Sequence, residues 1–322
     1  MFISRRMAMT LSLFLGLSIA STACGSGNSG NVEGKVNVVT TIYPLYYFAE
    51  QIGGEQAHVT NMIAAGVEPH DWTPKSRDLS DASNAQLFIY NGAGLESWLN
   101  DFMPVIESGG DVRTVEASHG IALIDGEGEE EGHEHGEEEE EGHSHEHEGD
   151  VDPHTWISPR SALAMAANIK DAYIAVDPAH RADYETRYEQ LNERLKQLDA
   201  KFTDGLSPYA GRDIVVSHQA FGYLCRDYGL NQIAIMGLSP EAEPRAQDLL
   251  EISDYVKSHG IKTIFFEELV SDRLAKTLAN EANIDTMVLN PLEGLTPEQE
   301  KAGDNYFSIM ERNLENLQKA LR

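Results

Sequence analysis

Cysteine is nearly absent from this 322-residue chain, which has only Cys24 and Cys225. One disulfide at most can form, and none if Cys24 is otherwise modified. Basic residues are also scarce, 24 against 53 acidic ones, for a formal charge of −29. A chain this acidic repels nucleic acid and anionic lipid and attracts cations. No long hydrophobic run is present. The apolar stretch from Met7 to Ala20 is too short and too quickly broken to span a bilayer. An HExxH motif is missing as well, so nothing in the sequence argues for a zinc protease.

The first residues are a targeting segment: Arg5 and Arg6, the apolar run, then Ser21-Thr22-Ala23-Cys24. This resembles a bacterial lipoprotein signal. It implies that residues 1–23 are removed and that Cys24 carries the lipid that anchors an extracytoplasmic protein. Leu is usual three residues before such a cysteine, and Ser21 stands there instead. The alternative is a plain secretory signal cut before or near Cys24. The segment over residues 24–34 is a Gly/Ser/Asn tether with too little apolar surface to fold. Cys225, in FGYLCRDYGL, reads as a buried small residue rather than a reactive thiol.

The remaining roughly 300 residues suggest two domains, and a hydrophobic content of 41% is ample for their cores. Strands are predicted over Lys35–Thr41, Ala57–Ile63 and Ala85–Tyr90, with helices over Pro44–Ile52, Asp78–Ala85 and Gly94–Met103. This alternation argues for parallel sheet. Residues 125–150 are low in complexity, acidic and rich in His, and are expected to be disordered. A helix is predicted over Ser161–Val176. Asp177-Pro178 then reads as the cap and first turn of another. Tyr184, Tyr188, Leu191, Leu195, Leu198 and Phe202 recur at alternating spacings of three and four, one narrow apolar stripe on a helix of about seven turns. Such a helix can lie across two bodies.

A second alternating half follows. Its predicted strands are Asp213–Ser217, Gln232–Met236, Lys262–Phe266 and Thr286–Leu289. Its predicted helices are Gln219–Tyr228, Ala246–His259, Asp272–Ala282 and Pro297–Leu321. The fold class expected is α/β, with two parallel-sheet lobes joined by one long helix. The lobes are assigned to residues 35–177 and 205–322 and the linking helix to 178–204.

Three of the twelve histidines stand apart by position. His70 lies in GVEPHDW, in a loop after a strand. His154 lies in DPHTW, just before a helix. His218 lies in IVVSHQAFGY, at the carboxyl end of a strand, where ligands gather in parallel α/β sheets. Neutral imidazoles suit Zn²⁺, which takes four N, O or S ligands in a tetrahedron. A fourth ligand should be a carboxylate or water. Glu293, in NPLEGLT after another predicted strand, is placed to supply it.

GVEPHDW, DPHTWISP, SHQAFGYL, LSPEAEP and LNPLEGLT occur in this order. Together they resemble the solute-binding lipoproteins of bacterial zinc ABC importers, over nearly all of residues 35–322. The resemblance implies a metal held between two α/β lobes linked by a rigid helix, with His70, His154 and His218 as ligands. In members with a carboxylate fourth ligand, that residue maps onto Glu293; other members use water or the acidic loop. It also implies a membrane permease as partner and a protein that works as a monomer. Manganese-binding relatives carry Glu at the position of His218. Mn²⁺ prefers more oxygen ligands, so three imidazoles favour zinc, although Ni²⁺, Co²⁺ and Cu²⁺ also accept imidazole.

On this reading His154 is a fixed ligand. His133, His135, His143, His145 and His147, in the mobile tract, collect zinc only loosely because no geometry is preformed. Asp71, Asp152 and Glu267 are candidates to accept the second imidazole N–H of a ligand. Trp72 and Trp156 are expected to shield the site by packing. Two competing readings differ in class. A secreted zinc hydrolase needs an open coordination position and a general base, and no residue is assigned that role by the sequence. A surface adhesin is compatible with zinc capture but has no motif here.

Overall fold

The computed structural model describes residues 31–126, 151–240 and 244–322. The targeting segment, Cys24 and the five tract histidines lie outside them. The first sheet is built from β1 (Val36–Thr40), β2 (Ala57–Asn61), β3 (Leu87–Tyr90) and β4 (Arg113–Glu116). Its order is β2-β1-β3-β4, and every pair is parallel. β1 (VNVVT) is buried along its whole length, as befits a β-branched central strand covered on both faces. The helices of this lobe are α1 (Tyr43–Gly53), α2 (Ser76–Ser83) and α3 (Leu99–Gly109). α4 (Pro159–Val176) packs on β3, β4 and α1.

α5 (Arg181–Leu206) follows. Tyr184, Leu191, Leu195, Leu198 and Phe202 of its predicted stripe are buried, with Tyr188 half-buried. The helix lies on α4 and α1 on one side of the molecule and on α6 and α10 on the other. The second sheet comprises β5 (Asp213–Val216), β6 (Asn231–Ala234), β7 (Thr263–Phe266) and β8 (Asp285–Val288), in the order β6-β5-β7-β8 and again parallel. Its helices are α6 (Gly222–Tyr228), α7 (Ala246–Ser258), α8 (Arg273–Ala282), α9 (Pro297–Ala302) and α10 (Tyr306–Ala320).

One continuous apolar core runs from β1 and α1 through α4 and α5 into β5, α6 and α10. Between the lobes Tyr47 stacks on Tyr306, with ring centroids 6.4 Å apart, and Phe48 meets the same ring edge-on at 4.9 Å. The guanidinium of Arg194 sits 3.9 Å from the centre of the Phe307 ring. Two outer clusters complete the core, one around Phe88, Phe102 and Ile106 and one around Val215, Ile264 and Leu278.

Several elements depart from the sequence expectation. The helix predicted from Gly94 begins only at Leu99, because Gly92, Ala93 and Gly94 all adopt positive φ and form a turn. The one predicted from Gln219 begins at Gly222. The predicted final helix is two, broken where Gly303 turns left-handed (φ 78°) and Asn305 caps α10. Asp177-Pro178 opens a single 3₁₀ turn, Pro178–His180, rather than α5 itself. The Asp177 carboxylate accepts from His180 Nδ1 and the Tyr184 hydroxyl, both at 2.7 Å, and α5 starts at Arg181. β4, short and only partly buried, was not predicted.

Leu195 is fully buried and carries no polar role. Leu195→Ala should lower stability by about 2–5 kcal/mol through lost transfer energy and a cavity. Urea unfolding of the metal-free protein checks this, and a loss below about 1 kcal/mol would show that α5 is not packed into the shared core.

Candidate metal centre

The carboxyl ends of both sheets face one another, and four segments meet there. His70 follows β2, His218 follows β5, Glu293 follows β8, and His154 precedes α4. His154, His218 and Glu293 are buried, while the His70 side chain retains 10% of its exposure.

The four side chains point one atom each at a common centre. His70 Nε2 lies 3.1 Å from both His154 Nε2 and Glu293 Oε1. His218 Nε2 lies 3.2 Å from His154 Nε2 and from Glu293 Oε1, and His154 Nε2 is 3.2 Å from Glu293 Oε1. A regular tetrahedron with such edges has its vertices about 1.9–2.0 Å from its centre, close to the roughly 2.0–2.2 Å of Zn–N and Zn–O bonds.

Two of the rings are locked from behind. Asp152 Oδ1 accepts both the backbone N–H of His154 (2.9 Å) and its ring Nδ1–H (2.8 Å). Glu267 Oε1 does the same for His218, at 3.2 and 2.7 Å. With Nδ1 committed as donor, each Nε2 presents its lone pair to the centre. Lone pairs converging in a dry site repel unless a proton or a cation lies between them. Asp152 Oδ2 and Glu267 Oε2 are buried with no protein partner, and uncompensated carboxylate oxygens of this kind call for positive charge nearby.

The electrostatics agree. Burial opposes charge on His218, but Glu267 and Glu293 outweigh it and push its pKa up to about 10. His154 is raised too, its hydrogen bonds to Asp152 and Glu293 overcoming burial. Burial alone would raise Glu293, yet the three histidines hold it well below the usual carboxylate range.

Of the three carboxylates singled out from the sequence, Asp152 and Glu267 lie against the ligand candidates. Asp71 is exposed, and its backbone N–H donates to Glu68 (3.3 Å). The sequence reading missed Glu68, whose two carboxylate oxygens each accept the His70 N–H at 3.0 Å. A signal for it exists: VEPHDW and VDPHTW share the order acid-Pro-His-x-Trp, so Glu68 stands to His70 as Asp152 stands to His154. The extra methylene lets Glu68 reach the next N–H in place of the ring. Trp72 packs edge-on against Trp98, with centroids 5.6 Å apart. Trp156 does more than shield. Its indole N–H donates to Pro291 O (2.8 Å) and its carbonyl accepts from the Tyr306 hydroxyl (2.7 Å). It thereby ties the segment of His154 to that of Glu293. Cys225 is buried, and burial pushes its thiol pKa up, away from reactivity.

Two parallel-sheet lobes linked by a long helix, with a buried group of three histidines and one glutamate between them, define a class of metal-site architecture. The chain belongs to the family described as zinc-uptake complex component A periplasmic, whose profile matches residues 38–320. It is 41% identical over 308 residues to the zinc-binding lipoprotein AdcA of Streptococcus pneumoniae, covering 95% of this chain and 60% of that protein. The chain thus spans about three fifths of that relative's length. The Zn(II)-bound ZnuA-like domain of the same AdcA superposes with a TM-score of 0.75 at 38% identity, over 89% of this chain and 99% of that one. The high-affinity zinc uptake system protein ZnuA of Bacillus subtilis is 40% identical over 303 residues, 93% of either chain. The laminin binding protein Lmb of Streptococcus agalactiae, described as bifunctional with adhesin and metal transporting activity, superposes with a TM-score of 0.76 at 28% identity, over 89% of this chain and all of that one.

His218 sets a pH dependence. Its unfolded pKa is about 6.5 and its folded value about 10. Its contribution to the stability of the metal-free protein is complete below the lower value and is lost as pH rises through the upper one. Calorimetry in chelator should therefore show the unfolding temperature falling between about pH 7 and 9.5, with a shallower fall in His218→Asn. Equal slopes in the two proteins would contradict the assignment.

Proposed function

We propose that this protein is the extracytoplasmic zinc-binding component of an ABC importer. It captures Zn²⁺ with His70, His154, His218 and Glu293 and hands it to a membrane permease. The observation that carries this reading is the convergence of three imidazole nitrogens and one carboxylate oxygen on one point, five of their six separations being 3.1–3.2 Å. Four protein ligands fill a zinc tetrahedron and leave no position for a reactive water, so the site suits capture and transfer rather than hydrolysis. The third histidine favours zinc over manganese. In this reading the protein works as a monomer, Cys24 bears the lipid anchor, residues 35–177 and 205–322 are the lobes, and residues 178–204 are the rigid link. The histidines at 133, 135, 143, 145 and 147 bind zinc weakly and supply it to the main site. Adhesion is a second reading, favoured by the likeness to laminin-binding neighbours such as Lmb.

Chelator competition on three forms tests the proposal: intact protein, protein lacking residues 127–149, and His218→Ala. The truncated form should keep one tight zinc. His218→Ala should lose more than the roughly 10–100-fold that an outer hydrogen-bond partner commands. The reverse pattern would make the acidic tract the receptor and overturn the assignment. A second expectation concerns Glu293→Gln. Its neutral amide binds Zn²⁺ more weakly than the carboxylate, so affinity should fall while the protein stays folded. Unchanged affinity would mean that Glu293 is not a ligand.

A further inference from the structure

Residues 91–96, Asn-Gly-Ala-Gly-Leu-Glu, follow β3 and are not part of the four-residue group. The polar side chains of Asn91 and Glu96 nevertheless turn inward. Asn91 is fully buried and Glu96 is 7% exposed. The Glu96 carboxylate accepts from the backbone N–H of Asn91 (2.8 Å), from that of Gly92 (3.0 Å) and from the Thr41 hydroxyl (2.6 Å). It closes a turn in which three successive residues have positive φ: Gly92 (78°), Ala93 (51°) and Gly94 (82°). Ala93 accepts this conformation at a cost. A turn so built holds its first residue, Asn91, in one orientation.

Asn91 spends that orientation on the segment around His154. Its amide Nδ2 donates to Pro153 O (2.9 Å), and its Oδ1 accepts from Thr155 Oγ1 (3.1 Å). The planar carboxamide thus grips the residues on either side of His154. The backbone there needs support. His154 has φ −79° and ψ 47°, and the Thr155 N–H donates to Pro153 O at 2.8 Å. This is an inverse γ-turn centred on the histidine, stabilised internally by a single bent hydrogen bond. The Asp152 carboxylate fixes the ring relative to its own backbone but does not fix that backbone in the lobe.

We infer that Asn91, itself set by Glu96, is a positioning residue for the metal site: its buried carboxamide braces the γ-turn that aims His154 Nε2 at the other three ligands. The inference rests on the metal-site reading above. Removing the brace frees Pro153 O and Thr155 Oγ1 to seek other partners, and the γ-turn relaxes toward ordinary extended backbone. His154 Nε2 then leaves the tetrahedron although no ligand has been deleted. Outer hydrogen-bond partners of metal ligands command roughly 10–100-fold in affinity, and Asn91→Ala should fall in that range.

The test uses zinc affinity by chelator competition, the visible d–d spectrum of the Co²⁺-loaded protein, and the unfolding temperature in chelator. The variants are Asn91→Ala, Thr155→Val, Thr155→Ser, Ile106→Ala and His154→Ala. Ile106, on α3, is a fully buried residue of an outer cluster and controls for lost stability alone. Asn91→Ala should weaken zinc binding and alter the Co²⁺ spectrum. Thr155→Val, which loses one arm, should do so less, and Thr155→Ser should match the wild type. Ile106→Ala should unfold at lower temperature with affinity and spectrum intact. Wild-type affinity and spectrum in Asn91→Ala would overturn the inference, as would an equal affinity loss in Ile106→Ala. If Asn91→Ala does not fold, an unaltered Thr155→Val overturns it in its place. Undiminished binding by His154→Ala would overturn the metal-site reading itself. Weakened binding there beside an unaltered Asn91→Ala would overturn the positioning role alone.

Discussion

Three imidazole nitrogens and a carboxylate oxygen converge in a buried cleft, all within 4.8 Å of one another and most pairs at 3.1–3.2 Å, and the rest of the molecule answers to that constraint. Such an arrangement is unfavourable without positive charge at its centre, because the nitrogens present lone pairs and the oxygen a negative charge. A proton can supply that charge in part, and the neighbouring carboxylates accordingly raise the pKa of His218 and His154 against the opposing effect of burial. A dication supplies it fully. The hydrogen bonds of Asp152 and Glu267 to the far side of two rings exclude the alternative of turning the imidazoles away.

Holding four such atoms in place requires the two lobes to keep their spacing. Two of the four converging residues come from the first lobe's connections and two from the second's, and a single apolar core runs beneath both. α5 and the aromatic contact of Tyr47 and Phe48 with Tyr306 make the link a packed interface, not a bare hinge. The Trp156 indole and the Tyr306 hydroxyl extend that interface up to the site itself. The ligand loops are braced from inside each lobe as well. In the second lobe the Asn313 carboxamide accepts from the Asn290 backbone N–H and donates to the Asn290 carbonyl, and Asn290 Oδ1 accepts from the N–H of Leu292, which has positive φ (59°) just before Glu293.

Much of this was legible in the sequence, for identifiable reasons. The parallel strands are short apolar runs between turn formers, and α5 announces itself by its stripe. His70, His154 and His218 stood out because each adjoins a turn former or a strand end. Besides the short strand β4 and the break before α10, what escaped was polar and local. The turn after Tyr90 looked like a helix start because Leu95, Trp98, Leu99 and Phe102 have helical spacing, and nothing in that spacing reveals that Glu96 is spent on the turn. Asp71 looked as well placed as Asp152, because proximity along the chain does not say which carboxylate turns inward.

The sequence by itself determined the element types, the parallel topology and the small set of side chains able to hold a divalent cation. These follow from periodicity, turn chemistry and donor type, all of which are local properties of the chain. Only the tertiary structure decided that four residues up to 223 positions apart share one point, that Glu68 rather than Asp71 grips the first histidine's loop, and that Trp156 spans the lobes. Those outcomes depend on the packing of two sheets about one helix, because the direction of a side chain in a loop is settled by what the fold brings to meet it.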